Sequence, residues 1–576
     1  MRIGRKPGIQ PFLFAAVIGL LATGCKTYEQ QNHVIQYWHQ GNMTNAVAEA
    51  TKMADQNAKN KDAIIWRLEQ GAVLRGAGKY DESNKAFDQV QDRIDQYSQE
   101  AKVRVGQEAG ALLSNQANLA YEGRSYDGVM LNTYKALNYL QLGEPDKARV
   151  ELIRAYQRQQ DAVEANKKRI AKVQEEADKS KDKATMDKAE QDPKFKSQMQ
   201  GAYTGLDNLK VYADYVNPFT VYLDGLFFMA DAADGSDLER AHKSLERVVG
   251  FDPDNIYAKQ DLAAVNDLIN GKPLSPTTYV IFETGCAPVR DQIRIDIPII
   301  VSKVSYVGAA FPTLKPQGNY LPSLTISANS IIVPAQDTVA TTATSTTAVT
   351  TTTAASEPPA AASSANTVAG DTNTTITSTT VTTGDTNSTG SNTVTTTSNT
   401  NSTVTSTTVT SGDTNATVTS TTTTASSTTA TVTAGSTTAS TSPIANMDSV
   451  IGLDFKNELP VVITKTIAST ITKAVAAYAA NQAASQQSDI AGLFMQLGTA
   501  IYQAAVNIAD ERTWTTLPKE FQVCRFSTPP DRKIVLETPD GAQKIPVTIE
   551  DGMINIVYVR SITATSPMLV TQFKLK

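Results

Sequence analysis

Between residues 338 and 442 roughly two positions in five are threonine, and no lysine or arginine occurs between Lys315 and Lys456. Such a stretch lacks the large apolar side chains that offset the entropy of ordering a chain, so it cannot form a packed core. It also has an internal period. GDTNTTITSTTVTT at 370–383 is followed by GDTNSTGSNTVTTT at 384–397, SNTNSTVTSTTVTS at 398–411 and GDTNATVTSTTTTA at 412–425, a step of 14 residues each time. The fold must therefore come from the flanks. Residues 276–337 and 443–576 read as halves of one β-rich domain, with 338–442 a disordered, Thr-rich insertion in a loop. A domain tolerates this because closure entropy grows slowly with loop length. Threonine favours extended backbone, so weak β structure is compatible with it. An O-glycosylated bristle, a spacer and a replication-slippage expansion are all open readings. The Gly-Asp-Thr-Asn turns are too widely spaced for a calcium β-roll.

The other end of the chain says where the protein lives. Arg2, Arg5 and Lys6 precede an apolar run, Pro11 to Leu21, and then Ala22-Thr23-Gly24-Cys25. A positive start, a short apolar segment and small residues before a cut make a secretory signal, and the run is too short to span a bilayer. The segment resembles a bacterial lipoprotein signal peptide over 1–24, with Ala22 where leucine is commonest. The resemblance implies lipidation of Cys25; an ordinary signal peptide is the alternative. Several acyl chains, at about 0.8 kcal/mol per buried methylene, would give a stable anchor. Lys26, where an aspartate would retain a lipoprotein in the inner membrane, implies the periplasmic face of a Gram-negative outer membrane.

With 576 residues there is length for several domains, and a net charge of −6 with no basic stripe gives no reason to expect a nucleic-acid partner. Besides Cys25 there are two cysteines, Cys286 and Cys524. In an oxidising compartment they are candidates for a disulfide, and the alternative is two buried thiols.

Residues 26–275 read as helical, with a recurring two-helix pattern. GAVLRGAGKYDESNKAFDQV at 71–90 and ALNYLQLGEPDKARVELIRA at 136–155 place small and large residues at matching offsets around a Gly-containing turn, and a looser copy runs from Gly225 to Asn255. This resembles a tetratricopeptide repeat, in which small residues let paired helices approach; an unrelated helical bundle is the alternative. Isolated pairs cannot bury their apolar faces, so a stacked solenoid is expected. Residues 158–198, dense in charge of both signs, read as a charged helical arm, either a docking element or an ordinary solvated helix. Beyond residue 276 the chain turns β-branched. TYVIFETG, IRIDIPIIV and LTISANSIIV come before the tract, and FQVCRF, KIVLE, KIPVTI, INIVYV and MLVTQFKL come after it. Ala-rich stretches at 463–482 and 489–508 read as two helices packed on that sheet. The expected class is α+β and multidomain.

Catalytic patterns are scarce. The three histidines, His33, His39 and His242, all lie in the helical part, so the β-rich part cannot complete a Ser-His-Asp or Cys-His set alone. No metal or cofactor motif is present. Glu283, Cys286, Arg290 and Asp291 cluster in FETGCAPVRDQIRIDIP, best read as strand, turn and strand. Arg512, Trp514 and Arg525 in DERTWTTLPKEFQVCR are a candidate binding patch, or else a buried tryptophan beside a structural ion pair.

Together these parts resemble an uncharacterised family of bacterial lipoproteins with tetratricopeptide-like repeats. The motifs that carry the resemblance are E-x-G-x-x-P, here Glu283, Gly285 and Pro288, and R-x-W-x-x-L-P, here Arg512, Trp514, Leu517 and Pro518; the threonine tract is extra. The family's neighbourhood beside lipoproteins that look like peptidoglycan-synthase activators implies a role in envelope assembly. The expected function is a lipid-anchored, non-enzymatic scaffold that binds a protein through its helical repeats. An envelope enzyme using paired carboxylates on cell wall or polysaccharide, and surface adhesion through the tract, are the alternatives.

Overall fold

The computed structural model describes residues 26–103, 117, 119–210, 212–213, 215–300, 304–328, 438–485 and 508–576. Cys25, nearly all of the threonine tract and the expected helix at 489–508 up to residue 507 lie outside them.

The helical part opens with two short helices, α1 (Lys26–His39) and α2 (Met43–Gln56), then the pair α3 (Ala63–Gly76) and α4 (Tyr80–Val103) and the pair α5 (Ser125–Gln141) and α6 (Pro145–Asp178). Each pair turns by the same device. Gly41, Gly78 and Gly143 sit at φ near +70°. The following N–H reaches back five residues, Asn42 to the Tyr37 carbonyl, Lys79 to Leu74 and Glu144 to Tyr139. This left-handed closure satisfies orphaned helix-end carbonyls and favours glycine. The sequence copies at 71–90 and 136–155 therefore correspond to helical hairpins.

Inside the first copy, Gly71 allows the close approach: a Cβ there would sit 2.4 Å from the Phe87 ring. Ser83 donates to the Gly71 carbonyl at 2.7 Å, tying α4 to α3. Replacing Gly71 with valine is expected to destabilise the protein by about 1–3 kcal/mol through overpacking, seen as a lower urea midpoint. Gly250→Ala, at a helix position with nothing within 4 Å of the added carbon, is the near-neutral control. The third copy is the pair α9 (Pro218–Ala230) and α10 (Gly235–Phe251), where Gly225 faces Leu245 in the same way. Helix α11 (Ile256–Ile269) follows. Every residue of α9 is buried, the mark of a central helix with no polar face.

Between the second and third pairs the charged segment does not extend as one rod. Helix α6 runs 34 residues. The chain then folds back through α7 (Lys183–Gln191), α8 (Pro193–Tyr203) and a short 3₁₀ turn, Thr204–Asn208.

Strands begin at Thr277. A five-stranded sheet has the order β11-β10-β1-β7-β6, formed by β1 (Thr277–Thr284), β6 (Ser442–Asn446), β7 (Glu520–Ser527), β10 (Ile554–Ser561) and β11 (Leu569–Lys574). Within it β1 runs parallel to β10 and antiparallel to β7. A second sheet, β5-β4-β8-β9, uses β4 (Thr325–Ser327), β5 (Thr438–Ser440), β8 (Lys533–Glu537) and β9 (Lys544–Thr548). The long ribbon of β2 (Val289–Ile300) and β3 (Val304–Lys315) stands apart as a two-stranded sheet.

The threonine tract enters after β4, and its expected end at 442 needs correction: residues 438–440 form β5 and Ser442 opens β6, with β5 an antiparallel neighbour of β4 and Ser327 opposite Thr438. The chain ends bracketing the tract are thus held about 5 Å apart, the spacing of paired strands. Both flanks belong to one compact unit, which also takes in the helical part.

Two other expectations need correction. The helix expected at 463–482 begins earlier, as α12 (Met447–Ser485), which runs through Pro460. Asn446 starts it by accepting the Ser449 N–H at 3.0 Å. The helices and the sheet also do not have separate cores. A single cluster joins Val34 and Trp66 to Tyr279, Trp514 and Leu575. Phe219 of α9 stacks flat on Phe521 of β7, with ring centroids 3.9 Å apart. A smaller second cluster joins Met186, Phe195, Ile297, Phe311 and Ile467, so the charged arm closes over the β2–β3 ribbon and α12. Among the described residues no helix is long and apolar enough to cross a membrane.

Candidate functional site

The segment between α12 and β7, residues 508–519, has no regular structure and runs against α3, α4 and α5. Arg512 donates to Asp510 at 2.7 Å, to Asp62 at 3.0 Å and to the Leu119 carbonyl at 2.9 Å. Trp514 is fully buried, tilted against Phe87 and edge-on to Tyr134, each with ring centroids 5.8 Å away. Glu69 of α3, also fully buried, accepts from Thr515 N at 2.6 Å and Oγ1 at 2.5 Å, and from Thr516 N at 3.2 Å and Oγ1 at 2.7 Å. A carboxylate buried this way is tolerable because its lone pairs are satisfied.

The same segment meets the end of β1. The Ala287 N–H donates to the Leu517 carbonyl, and the Lys519 N–H donates to the Thr284 carbonyl. Beside this junction Glu283 accepts from the Tyr134 hydroxyl at 2.5 Å, from the Tyr558 hydroxyl at 2.6 Å and from Arg560. Arg560 also donates to the carbonyls of Gly285 and Thr516, so one guanidinium joins the E-x-G-x-x-P and R-x-W-x-x-L-P motifs. Burial alone would raise the Glu283 pKa, but Arg560, Arg75 and the two tyrosine hydroxyls hold it below the usual carboxylate value.

These groups line a cleft of about 30 Å³ between α1, α3, α5 and the sheet. Its inner wall is Trp38, Tyr134, Glu283, Thr516, Tyr558 and Arg560, and its mouth is the half-buried Arg75, Gly76, Tyr80, Leu569 and Thr571. Arg75 lies against the rings of Tyr134 and Tyr558, its guanidinium carbon 5.0 and 4.6 Å from their centroids.

Arg512, Trp514 and Arg525 do not form an exposed patch. Arg525 sits elsewhere, on β7, paired with the fully buried Asp261 at 3.0 Å. Asp261 also accepts from Tyr222 and Tyr279. Trp514 and the two arginines belong to two internal networks: the indole gains by leaving water, and the burial of each guanidinium is tolerated because it is paired with a carboxylate.

Cys286 and Cys524 are free, buried thiols, which corrects the disulfide expectation. Cys524 is in register with Val280 on β1, and Cys286 lies beyond the end of that strand at Thr284. At about 3.3 Å per residue this separation far exceeds the 7 Å Cα limit for a disulfide. Cys524 Sγ donates to the Tyr257 hydroxyl at 3.4 Å. Cys286 Sγ lies 3.5 Å from His39 Nε2 and 3.6 Å from the Ile562 carbonyl. Helix α1 thus supplies the histidine that the strands lack. The pair is nonetheless poorly set for nucleophilic chemistry. Burial pushes the Cys286 thiol up to about 11, and burial together with Arg560 lowers the His39 pKa. Burial pushes Cys524 up to about 12. Both thiols are expected to resist a disulfide reagent at pH 8 in the native protein. In denaturant without reductant both should react, whereas a disulfide would leave them silent.

Among the described residues no group of three or more His, Cys, Asp or Glu side chains is placed to hold a metal ion. No family model, curated protein or solved structure matches the chain.

Proposed function

We propose that this chain is a lipid-anchored scaffold of the cell envelope, tethered through Cys25 at the periplasmic face of an outer membrane and binding a protein partner through tetratricopeptide-like hairpins. One observation carries the reading. Side chains from three successive helices, α3, α4 and α5, and from Asp62 at the start of α3, grip an irregular stretch of polypeptide with a turn at 515–516, residues 510–518, by a buried carboxylate, an aromatic socket and ion pairs. Helical hairpins of this kind are suited to holding extended chain. That inner surface is filled in cis, so the partner is assigned to the remaining faces of the hairpins. Kinship with the lipoprotein family and a role in envelope assembly are part of the same proposal.

The cleft chemistry favours binding over catalysis. The one carboxylate that lines it among the described residues, Glu283, is engaged by three donors. One observation favours the enzymatic alternative. On α12, Asp454 is pushed up to about 6 by burial and by Glu458, while Arg124 and Arg290 overcome burial to hold Glu458 far below the usual carboxylate range. Carboxylates with separated ionisation can divide acid and base roles. Here, however, they stand one turn apart on the same helix, and Glu458 is bound by Arg124 at 2.7 Å and Arg290 at 2.5 Å. Neither residue lines the cleft described above.

The test is fractionation and intact mass. The mature protein is expected to begin at an acylated Cys25 and sediment with outer membranes, and Cys25→Ser to accumulate as unacylated precursor. Cross-linking in those membranes should trap one partner at fixed stoichiometry. An unacylated mature chain, or a lone monomer, overturns the reading.

A further inference from the structure

We propose that the cleft at Arg75 is an anion subsite that takes a carboxylate group, gripped by the unpartnered edge of the Arg75 guanidinium. This goes beyond the scaffold reading and does not depend on it.

The cleft holds two guanidinium groups, Arg75 and Arg560, and one carboxylate, Glu283. Glu283 pairs with Arg560 and fills its other positions with two tyrosine hydroxyls. Of the two guanidinium groups lining the cleft, Arg75 is thus the one without an ion-pair partner among the described residues.

Hydrogen bonding points the same way. Arg75 Nε and Nη2 are buried and have no hydrogen-bond partner among the described residues, and Arg560 Nε is in the same state. In a guanidinium, Nε and Nη2 share one edge and present two parallel N–H groups, the arrangement that a carboxylate meets with both oxygens. The Tyr134 and Tyr558 rings both lie close to the Arg75 guanidinium and restrict where it can move. Burial opposes the charge on Arg75, but Tyr558, Glu283 and Tyr134 more than restore it, so the group is cationic at any physiological pH.

Size limits the ligand. About 30 Å³ is room for roughly two water-sized atoms, which suits the two oxygens of a carboxylate. The rest of such a molecule stays at the mouth, beside Tyr80, Leu569 and Thr571. The two nitrogens are closed to solvent, so entry requires this rim to open slightly. Water could supply an acceptor there but would not balance the charge.

The experiment uses the full chain and acetate as probe. Thermal unfolding and tryptophan emission are followed against sodium acetate, sodium chloride and sodium sulfate at constant ionic strength; Trp38 lines the cleft and Trp514 contacts Tyr134. A saturable stabilisation by acetate, with little from chloride or sulfate, is expected. Arg75→Met should weaken it about tenfold or more, and Arg75→Lys should fall between, having charge without the two-point edge. No saturable acetate effect, an equal effect in Arg75→Met, or an equal response to chloride or sulfate overturns the proposal. Should Arg75→Met fail to fold, the anion series on the unaltered chain decides by itself.

Discussion

Replacing Glu283 with leucine is expected to lower the free energy of unfolding by about 3–5 kcal/mol, the usual penalty for stranding one partner of a buried ion pair. The carboxylate is 3% exposed and is the shared acceptor for Arg560, Tyr134 and Tyr558. Without it, Arg560 and Arg75 face each other's charge across a closed cleft. Glu283→Gln keeps the shape and should lose less, since an amide oxygen still accepts from a tyrosine. The pH dependence has a definite sign. The folded pKa of Glu283 is depressed from 4.5, so its contribution is fully present above that value and is lost as pH falls through the lower folded value. The difference between wild type and Glu283→Leu should therefore shrink in acid. Urea titrations at neutral and acidic pH read both effects, and a constant difference would argue against the ionised pair as the cause.

A second large effect is expected at Glu69→Leu, about 3 kcal/mol. That substitution strands the N–H groups and hydroxyls of Thr515 and Thr516, each buried group costing about 1–3 kcal/mol when left unmade, partly offset by no longer burying a charge. The loss should be local before it is global. Residues 510–518 are expected to become cleavable by protease in the native state, with red-shifted emission as the Trp514 socket against Phe87 and Tyr134 loosens. Uniform destabilisation without new cleavage there would show that Glu69 does not hold the segment.

How much of this was legible in the sequence varied by element. Alternating or β-branched runs such as TYVIFETG and INIVYV coincide with β1 and β10 because both strands have strongly apolar sequences. Strand β3 is not legible in the sequence because Gly308, Ala309, Ala310 and Pro312 carry no strand signature; its pairing with β2 holds it in place. The early start of α12 was hidden by Pro460, which reads as a breaker. In the site, Glu283, Arg512 and Trp514 stood out through motifs, whereas Glu69 and Arg75 did not. A signal for Glu69 was nonetheless present. AIIWRLEQGAVLRG is apolar around most of its circumference, so the helix must be buried and a charge within it must be paired. Arg75 at its end gave no such warning, because a basic residue in the last turn is ordinary helix chemistry.

The hairpin formed by β4 and β5 has a consequence for heredity. Because Ser327 and Thr438 are paired across the strands that bracket the tract, gaining or losing one 14-residue copy is expected to leave that pairing in place. Natural variants of this gene should accordingly differ in the number of copies while their hinge strands stay the same, a ruler that can be lengthened or shortened at no expense to the protein that carries it.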